Sequence, residues 1–432
     1  MSAISITLLN HASYIWRSGD TTFLFDPWYE GTCFRGGWGL RYDNPEAFDQ
    51  ARDCTHLWIS HFHGDHLHLP TLRRIAAQSP NMQVLANVSA NFDMRPALEK
   101  AGFKKIQALF ERRTVSMAPG ITLTRYPATG IDNMLVLRAG GLTTLNLNDC
   151  NLPRQALINL VKKIGPIDVL LLNFNHAYKL LDPIAPDVMK EALKKRFLTI
   201  LDAVRPKNVI PFASMHYYRA PASQNQNASM LSSVDLANLD KRVLPLGFGD
   251  EAIFNPGQET VIRKKIPALV ERSFDEKIHT EPASWEELMA AANQFCTLLK
   301  KNFFGITFWL PPLKIRVTDH QRTIRFDATK GIRESTDNSH HIAAHSQALM
   351  EWFAKPFGTD AFFVGADFEI IGKDTNPLKK LILAGDLIDN GLSLKHLALM
   401  VLTLKGLPFL WNRREEITAL LINRQFAVGN RT

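Results

Sequence analysis

An α/β layered fold followed by a smaller α+β region is the class that three observations predict for this chain. Over the first 250 residues, short β-rich runs alternate with helical patterns. The apolar run Leu57-Trp58-Ile59-Ser60 leads directly into His61-Phe62-His63-Gly64-Asp65-His66, so polar chemistry is delivered at the end of a strand. From about residue 260 the texture changes and no metal-like spacing recurs.

The elements follow in order. Strands are predicted at residues 5–9, 22–26, 57–60, 83–86, 121–126, 134–138 and 143–148, from runs of β-branched and apolar residues bounded by turn residues. Helical spacing marks 71–77 and 153–164. A buried strand at 168–173, a longer helix at 187–204 and a strand at 208–212 complete the first part. Residues 220–233 are rich in Ser, Asn and Gln and are expected to form a loop. Ser284 with Glu287 three positions on is a capping box that opens an amphipathic helix over 284–300. Strand-like runs at 306–310, 313–318 and 323–326 precede helical patterns at 340–353 and 392–404. His340, His341 and His345 are expected on a solvated helix face. The division predicted is a metal-binding domain over 1–258 and an accessory α+β domain over 259–432.

Composition narrows the function classes. With 46% hydrophobic and 21% charged residues, a packed globular protein is expected. No apolar run approaches a membrane span. The start lacks a basic segment followed by an apolar core, so no secretory signal is expected. Cys33, Cys54, Cys150 and Cys296 are widely spaced, which points to a reducing compartment, the cytoplasm, rather than a disulfide framework. The net charge of +8 suits an anionic small-molecule substrate. Lys and Arg are scattered, with no basic-aromatic patch, so no nucleic-acid partner is expected.

His61-Phe62-His63-Gly64-Asp65-His66 reads H-x-H-x-D-H, four metal-capable side chains within six positions. Imidazole and carboxylate suit zinc, iron or manganese. His61 and His63 can chelate one ion while Asp65 and His66 turn toward a second. Ahead of this motif stand His11-Ala12-Ser13 and the strand Phe23-Leu24-Phe25, which ends in Asp26-Pro27.

That order of pieces resembles the metallo-β-lactamase superfamily. The resemblance implies an αββα sandwich with one or two divalent ions, iron or zinc, at one edge. It implies that Asp26 supports the metal loop from behind and that His11 lies near the site. Three further ligands are implied. Asp149, closing Leu145-Asn146-Leu147-Asn148, fits the bridging carboxylate. His216, after the strand run ending at Phe212, fits the late imidazole, with Tyr217 lining the same cleft. The middle imidazole has no match, because no histidine lies between His68 and Asp149. His176 comes first as its replacement and Asp132 second. A first ion held by fewer protein ligands is the remaining option.

Several segments resemble, as a set, the metallo-β-lactamase-like part of the CMP-N-acetylneuraminate hydroxylase family. They are Asp26-Pro27-Trp28, Phe34-Arg35-Gly36-Gly37-Trp38, Ile59-Ser60-His61, Leu69-Pro70-Thr71-Leu72, Asn148-Asp149-Cys150 and Pro211-Phe212-Ala213. Two departures stand out. That family carries a Rieske domain ahead of this region, and its middle His falls at Ala128 here. The nearer resemblance implies an iron-dependent oxygenase or hydroxylase acting on a small anionic metabolite, with electrons from a separate electron-transfer protein. The alternative is a zinc-dependent hydrolase of an ester, amide or phosphodiester, using metal-bound water. In either case Asp65 is the expected catalytic group, orienting water or binding the second ion.

Overall fold

The computed structural model describes residues 3–389, apart from 90–92, 129–130, 183, 265–269, 272–280, 304–306, 338 and 356. Among the described residues two large sheets face each other. The first has eight strands in the order Val261–Arg263, Glu251–Phe254, Ile4–Asn10, Ser13–Ser18, Thr21–Phe25, His56–Trp58, Gln83–Val88 and Lys105–Phe110. The second has six, in the order Thr114–Ala118, Ile121–Pro127, Asn133–Ala139, Leu142–Asn148, Val169–Leu172 and Asn208–Pro211.

Side chains alternate across a strand, and that period sorts them into layers. Phe23 and Phe25 point inward to the space between the sheets, where they join Tyr14, Trp16, Leu123, Leu135 and Leu171. Leu24 points outward, against Leu72 and Ile75 of the helix Leu69–Gln78. On the second sheet Val169 and Leu171 face in. Leu170 and Leu172 face out, toward Leu193, Phe197 and Leu201 of the helix Pro186–Val204. Helix, sheet, sheet and helix are therefore stacked as an αββα sandwich, as expected.

Thr21–Phe25, His56–Trp58 and Gln83–Val88 run parallel to one another, and so do Leu142–Asn148, Val169–Leu172 and Asn208–Pro211. Parallel strands share a carboxyl end, and the loops that leave it form a rim suited to a ligand site.

The C-terminal region has its own sheet, ordered Gly331–Ser335, Arg322–Asp327, Leu313–Val317, Ile342–Ala344 and Phe368–Ile370. Leu288, Phe295, Leu299, Ile315, Trp352 and Leu381 contribute to a separate apolar core. This region docks on the sandwich through the helix Gly358–Gly365 and the turn at Phe34–Gly36. A Cβ on Gly37 would lie 2.2 Å from the carbonyl oxygen of Gly365, so only glycine permits this approach. Arg35 pairs with Glu351 across the same seam.

Several expectations are corrected. Val261–Arg263 is a strand of the first sheet, so the sandwich runs past residue 258. Residues 340–353 are not one helix: Ile342–Ala344 is a central strand and the helix is Ser346–Ala354. Two of the histidines there, His341 and His345, are used locally, not spread on a solvated face. His341 Nδ1 accepts from the Lys314 N–H at 2.9 Å, and His345 caps the helix by accepting from Gln347 N. The expected loop 220–233 contains the 3-10 helix Gln224–Ser229. Thr307–Trp309 is also a 3-10 turn, not a strand. The helix expected at 392–404 lies outside the described residues.

Candidate metal centre

Every sandwich element of the site reaches the same rim. The loop 61–66 follows His56–Trp58, Asp26 follows Thr21–Phe25, and Asp149 follows Leu142–Asn148. Positive φ angles gather here. His11, Asp26, Asn148 and Ala213 hold φ of 28°, 38°, 52° and 53°. Each such non-glycine residue costs about 1–2 kcal/mol, so the surroundings must impose it. They do. Asp26 Oδ1 accepts from Ser60 N at 2.8 Å, and Oδ2 accepts from Asn148 Nδ2 at 2.9 Å. Ala213 N donates to His11 O at 2.8 Å.

His66 is fixed from behind. Its Nδ1 lies 3.0 Å from Asp26 Oδ2, which leaves Nε2 facing Asp149 Oδ2 at 3.2 Å and Asp65 Oδ2 at 3.3 Å. A carboxylate behind a ligating imidazole sets its tautomer and ring angle. Asp149 is held in turn. Its Oδ1 accepts from Asn173 Nδ2 at 3.1 Å, and Asn173 Oδ1 accepts from Arg196 Nη2 at 3.1 Å.

His11, Asp65 and His66 place donor atoms close enough to share an ion. The hydrogen bonds give His11 a different part. Its Nδ1 accepts the Met215 backbone N–H at 3.1 Å, so the ring proton is on Nε2, 3.1 Å from Asp65 Oδ2. His11 therefore donates to Asp65 and orients it.

The other half of the site is built around His61 and His63. His61 Nδ1 meets Ser60 Oγ at 2.8 Å, and Nε2 lies 2.8 Å from His63 Nδ1. Asp132 Oδ1 is 3.8 Å and Asp149 Oδ2 3.9 Å from the same His61 nitrogen. Asp132 reaches this place through the short turn between Ile121–Pro127 and Asn133–Ala139. Ala128 N donates to Asp132 O at 2.9 Å, and Asn133 Nδ2 ties the turn to Ser60 O at 2.9 Å.

The donor set fits divalent cations. Ligands at about 2.0–2.3 Å from one ion stand roughly 3–4 Å apart, the spacing seen among these atoms. Asp65 Oδ1 and Asp132 Oδ1 are buried with no hydrogen-bond partner, an arrangement that calls for a cation. Burial, with His66 and His63 close by, holds the His61 imidazole well below its ordinary pKa, in the neutral form a metal needs. Burial also pushes the Asp132 carboxyl up to about 7. For Asp149 burial is outweighed by His66, and the group sits at about 2.

One residue of the site went unforeseen. Asp360, in the C-terminal helix Gly358–Gly365, bonds His63 Nε2. Burial disfavours charge on His63, but the Asp360 carboxylate outweighs it and lifts the imidazole to about 10, so an ion bound at Nδ1 displaces a proton there while Asp360 keeps the N–H on Nε2. The available signal was slight: Asp360 is the lone charge in the otherwise apolar and small-residue segment GTDAFFVG.

Two expectations are corrected. His176 is not the replacement imidazole, because both ring nitrogens are spent on the protein. Nδ1 meets Tyr218 Oη at 3.0 Å and Nε2 meets Ser229 Oγ at 2.9 Å. Asp132 is the group beside His61 and His63. His216 lies outside the candidate groups among the described residues but is buried beside His11, 5.5 Å between ring centroids, and its expected ligand role is carried forward as a proposal. Its ring stacks on Trp38 at 3.6 Å between centroids, and neither nitrogen has a hydrogen-bond partner. Tyr217 does not line the cleft with His216. Both lie in the strand His216–Tyr218, whose alternation turns Tyr217 to the other face, over Gly39.

The chain is similar to several known proteins. Residues 5–213 match the family model described as a beta-lactamase superfamily domain. Cytidine monophosphate-N-acetylneuraminic acid hydroxylase of Danio rerio is 25% identical over 238 residues, covering 49% of this chain and 38% of that protein. The inactive human homologue is 35% identical over 82 residues, 19% of this chain and 16% of its own length. The chain thus spans well under two thirds of these relatives. Among solved structures, CmlA, a diiron beta-hydroxylase from Streptomyces venezuelae, overlays 59% of this chain and 54% of its own with 18% identity and a TM-score of 0.40. An isothiocyanate hydrolase from Delia radicum gut bacteria overlays 57% and 98% with 14% identity and a TM-score of 0.43.

Proposed function

Residues 5–213 belong to the metallo-β-lactamase superfamily, and from that premise we propose that this metal-dependent enzyme is an iron-dependent oxygenase that hydroxylates a small anionic metabolite. The observation that carries the reading is Asp132. It stands beside His61 and His63, where the superfamily's common hydrolases use an imidazole, and makes a set of two histidines and one carboxylate. Such a set with open positions suits non-haem iron and its reaction with oxygen.

Charge supports the same reading. Asp26, Asp65, Asp132, Asp149 and Asp360 gather carboxylates around the three imidazoles, an acidic setting that favours bound cations. The Danio rerio relative is named as a hydroxylase, which supports this reaction class. Bound iron would supply oxygen binding and one-electron chemistry. The residues do the rest. Asp26 and Ser60 aim His66 and His61. His11 holds Asp65 through Oδ2, beside His66 Nε2, and Asp65 Oδ1 is left buried without a hydrogen-bond partner, so the carboxylate can ligate or hold water. Hydroxylation of a C–H bond by O₂ consumes two electrons and two protons and releases water, so a separate electron-transfer protein is the implied partner. The net charge of +8 draws an anionic substrate toward the surface.

The test is reconstitution against a metabolite extract, with Fe(II), a reductant and O₂ in one arm and Zn(II) without oxygen in the other. Oxygen-dependent turnover with iron is the expected result. Turnover with zinc under anaerobic conditions would replace the reading with hydrolysis.

A further inference from the structure

We propose that Asp360 is a positioning residue for His63, so that the docked C-terminal region forms part of the metal centre. The inference rests on the reading that the His61–His63 cluster holds a metal ion.

A ligating imidazole offers one nitrogen to the ion and keeps N–H on the other, and that N–H needs an acceptor. His61 faces inward with Nε2 and has Ser60 Oγ behind it at 2.8 Å. His66 faces inward with Nε2 and has Asp26 behind it at 3.0 Å. His63 faces His61 with Nδ1, so the nitrogen pointing away is Nε2, and Asp360 is the group there. Each of the three imidazoles therefore has an outer partner. Two partners come from the sandwich, and the third comes from 297 positions along the chain.

Asp360 is brought to His63 by an interface, not by its own loop. Gly37 and Gly365 touch through backbone. Phe357 stacks on Phe62, the residue between the two ligand histidines, at 5.7 Å and 13°. Lys179 N donates to Phe363 O at 3.0 Å, which pins the middle of the same helix to the sandwich. Metal binding at His63 and docking of the helix Gly358–Gly365 are then linked, and each favours the other by the same factor.

The test uses the full chain and Co(II) as a spectroscopic probe. Asp360→Ala is expected to weaken Co(II) binding about 10–100-fold, the usual effect of removing an outer partner, and to shift the visible ligand-field band. Asp360→Glu is expected to recover most of the affinity and the parent band. Gly37→Ala keeps every candidate ligand but forces Gly365 away, and is expected to weaken Co(II) binding in the same direction. Apo melting of each variant reports folding separately. A folded Asp360→Ala protein with affinity within twofold of the parent and an unchanged band overturns the inference alone. A parent protein that binds no Co(II) overturns the metal-site reading and this inference together.

Discussion

The two halves of the metal centre are built differently. Behind His66 the setting is enclosed. The His66, Asp26 and Asp65 side chains are 0%, 0% and 3% exposed. Asp26 alone satisfies a backbone N–H, an amide and an imidazole. Around His63 the site is looser: His63, Asp132 and Asp360 are 18%, 20% and 31% exposed. Their contacts come from a short turn and from a distant helix. A buried half, satisfied by short bonds within the sandwich, is suited to hold an ion permanently. A half assembled from a turn and a docked helix is where ligand exchange and substrate approach are easiest. Rigidity and access are thus divided between two groups of candidate ligands instead of being compromised in one.

The largest expected effect lies in the open half. His63→Ala should abolish activity and lower bound metal by roughly one ion of two, while the fold persists, because a large sandwich core does not depend on the ion. Elemental analysis beside a thermal melt checks this. Loss of cooperative melting in the variant would show that the open half is structural and would break the comparison.

A smaller loss of function but a larger loss of stability is expected in the enclosed half. Asp26→Ala leaves Ser60 N–H, Asn148 and His66 without an acceptor in a buried setting, at about 3–5 kcal/mol of destabilisation. Metal affinity should fall about 10–100-fold through misorientation of His66. Chemical denaturation with metal titration measures both. A variant as stable as its parent would mean that the enclosure around His66 is not what holds this half.

His176→Gln should leave the metal centre unchanged. It removes the bonds to Tyr218 and Ser229, so stability drops by about 1–2 kcal/mol, but metal content and activity stay at parent values. A fall in metal content would return His176 to the centre and extend the open half.

Much of the sandwich was legible in the chain because its signals are local. Phe23, Leu24 and Phe25 alternate between layers, and H-x-H-x-D-H follows directly on a strand. The helices Leu69–Gln78, Arg154–Ile164 and Pro186–Val204 start and stop close to where their spacing suggests. The C-terminal region was harder. Ile342–Ala344 is a three-residue central strand buried on both faces, and so short an apolar run has no period of its own. Joined in sequence to the helix that follows, it imitates one longer helix.

What the chain determined by itself is an α/β layered fold, which the family resemblance narrowed to an αββα sandwich, and the cluster His61, His63, Asp65 and His66, since period and strand-end placement are properties of neighbours in sequence. What only the tertiary structure decided is the company these residues keep. Two side chains, His176 ahead of Asp132, competed for one place. The contest went to the turn tied to Ser60 O by Asn133, while Tyr218 and Ser229 claimed the imidazole. Asp360 could not be placed at all from the chain. Its position depends on two glycines, Gly37 and Gly365, meeting across an interface, and a contact between residues some three hundred positions apart leaves no periodic trace in either segment.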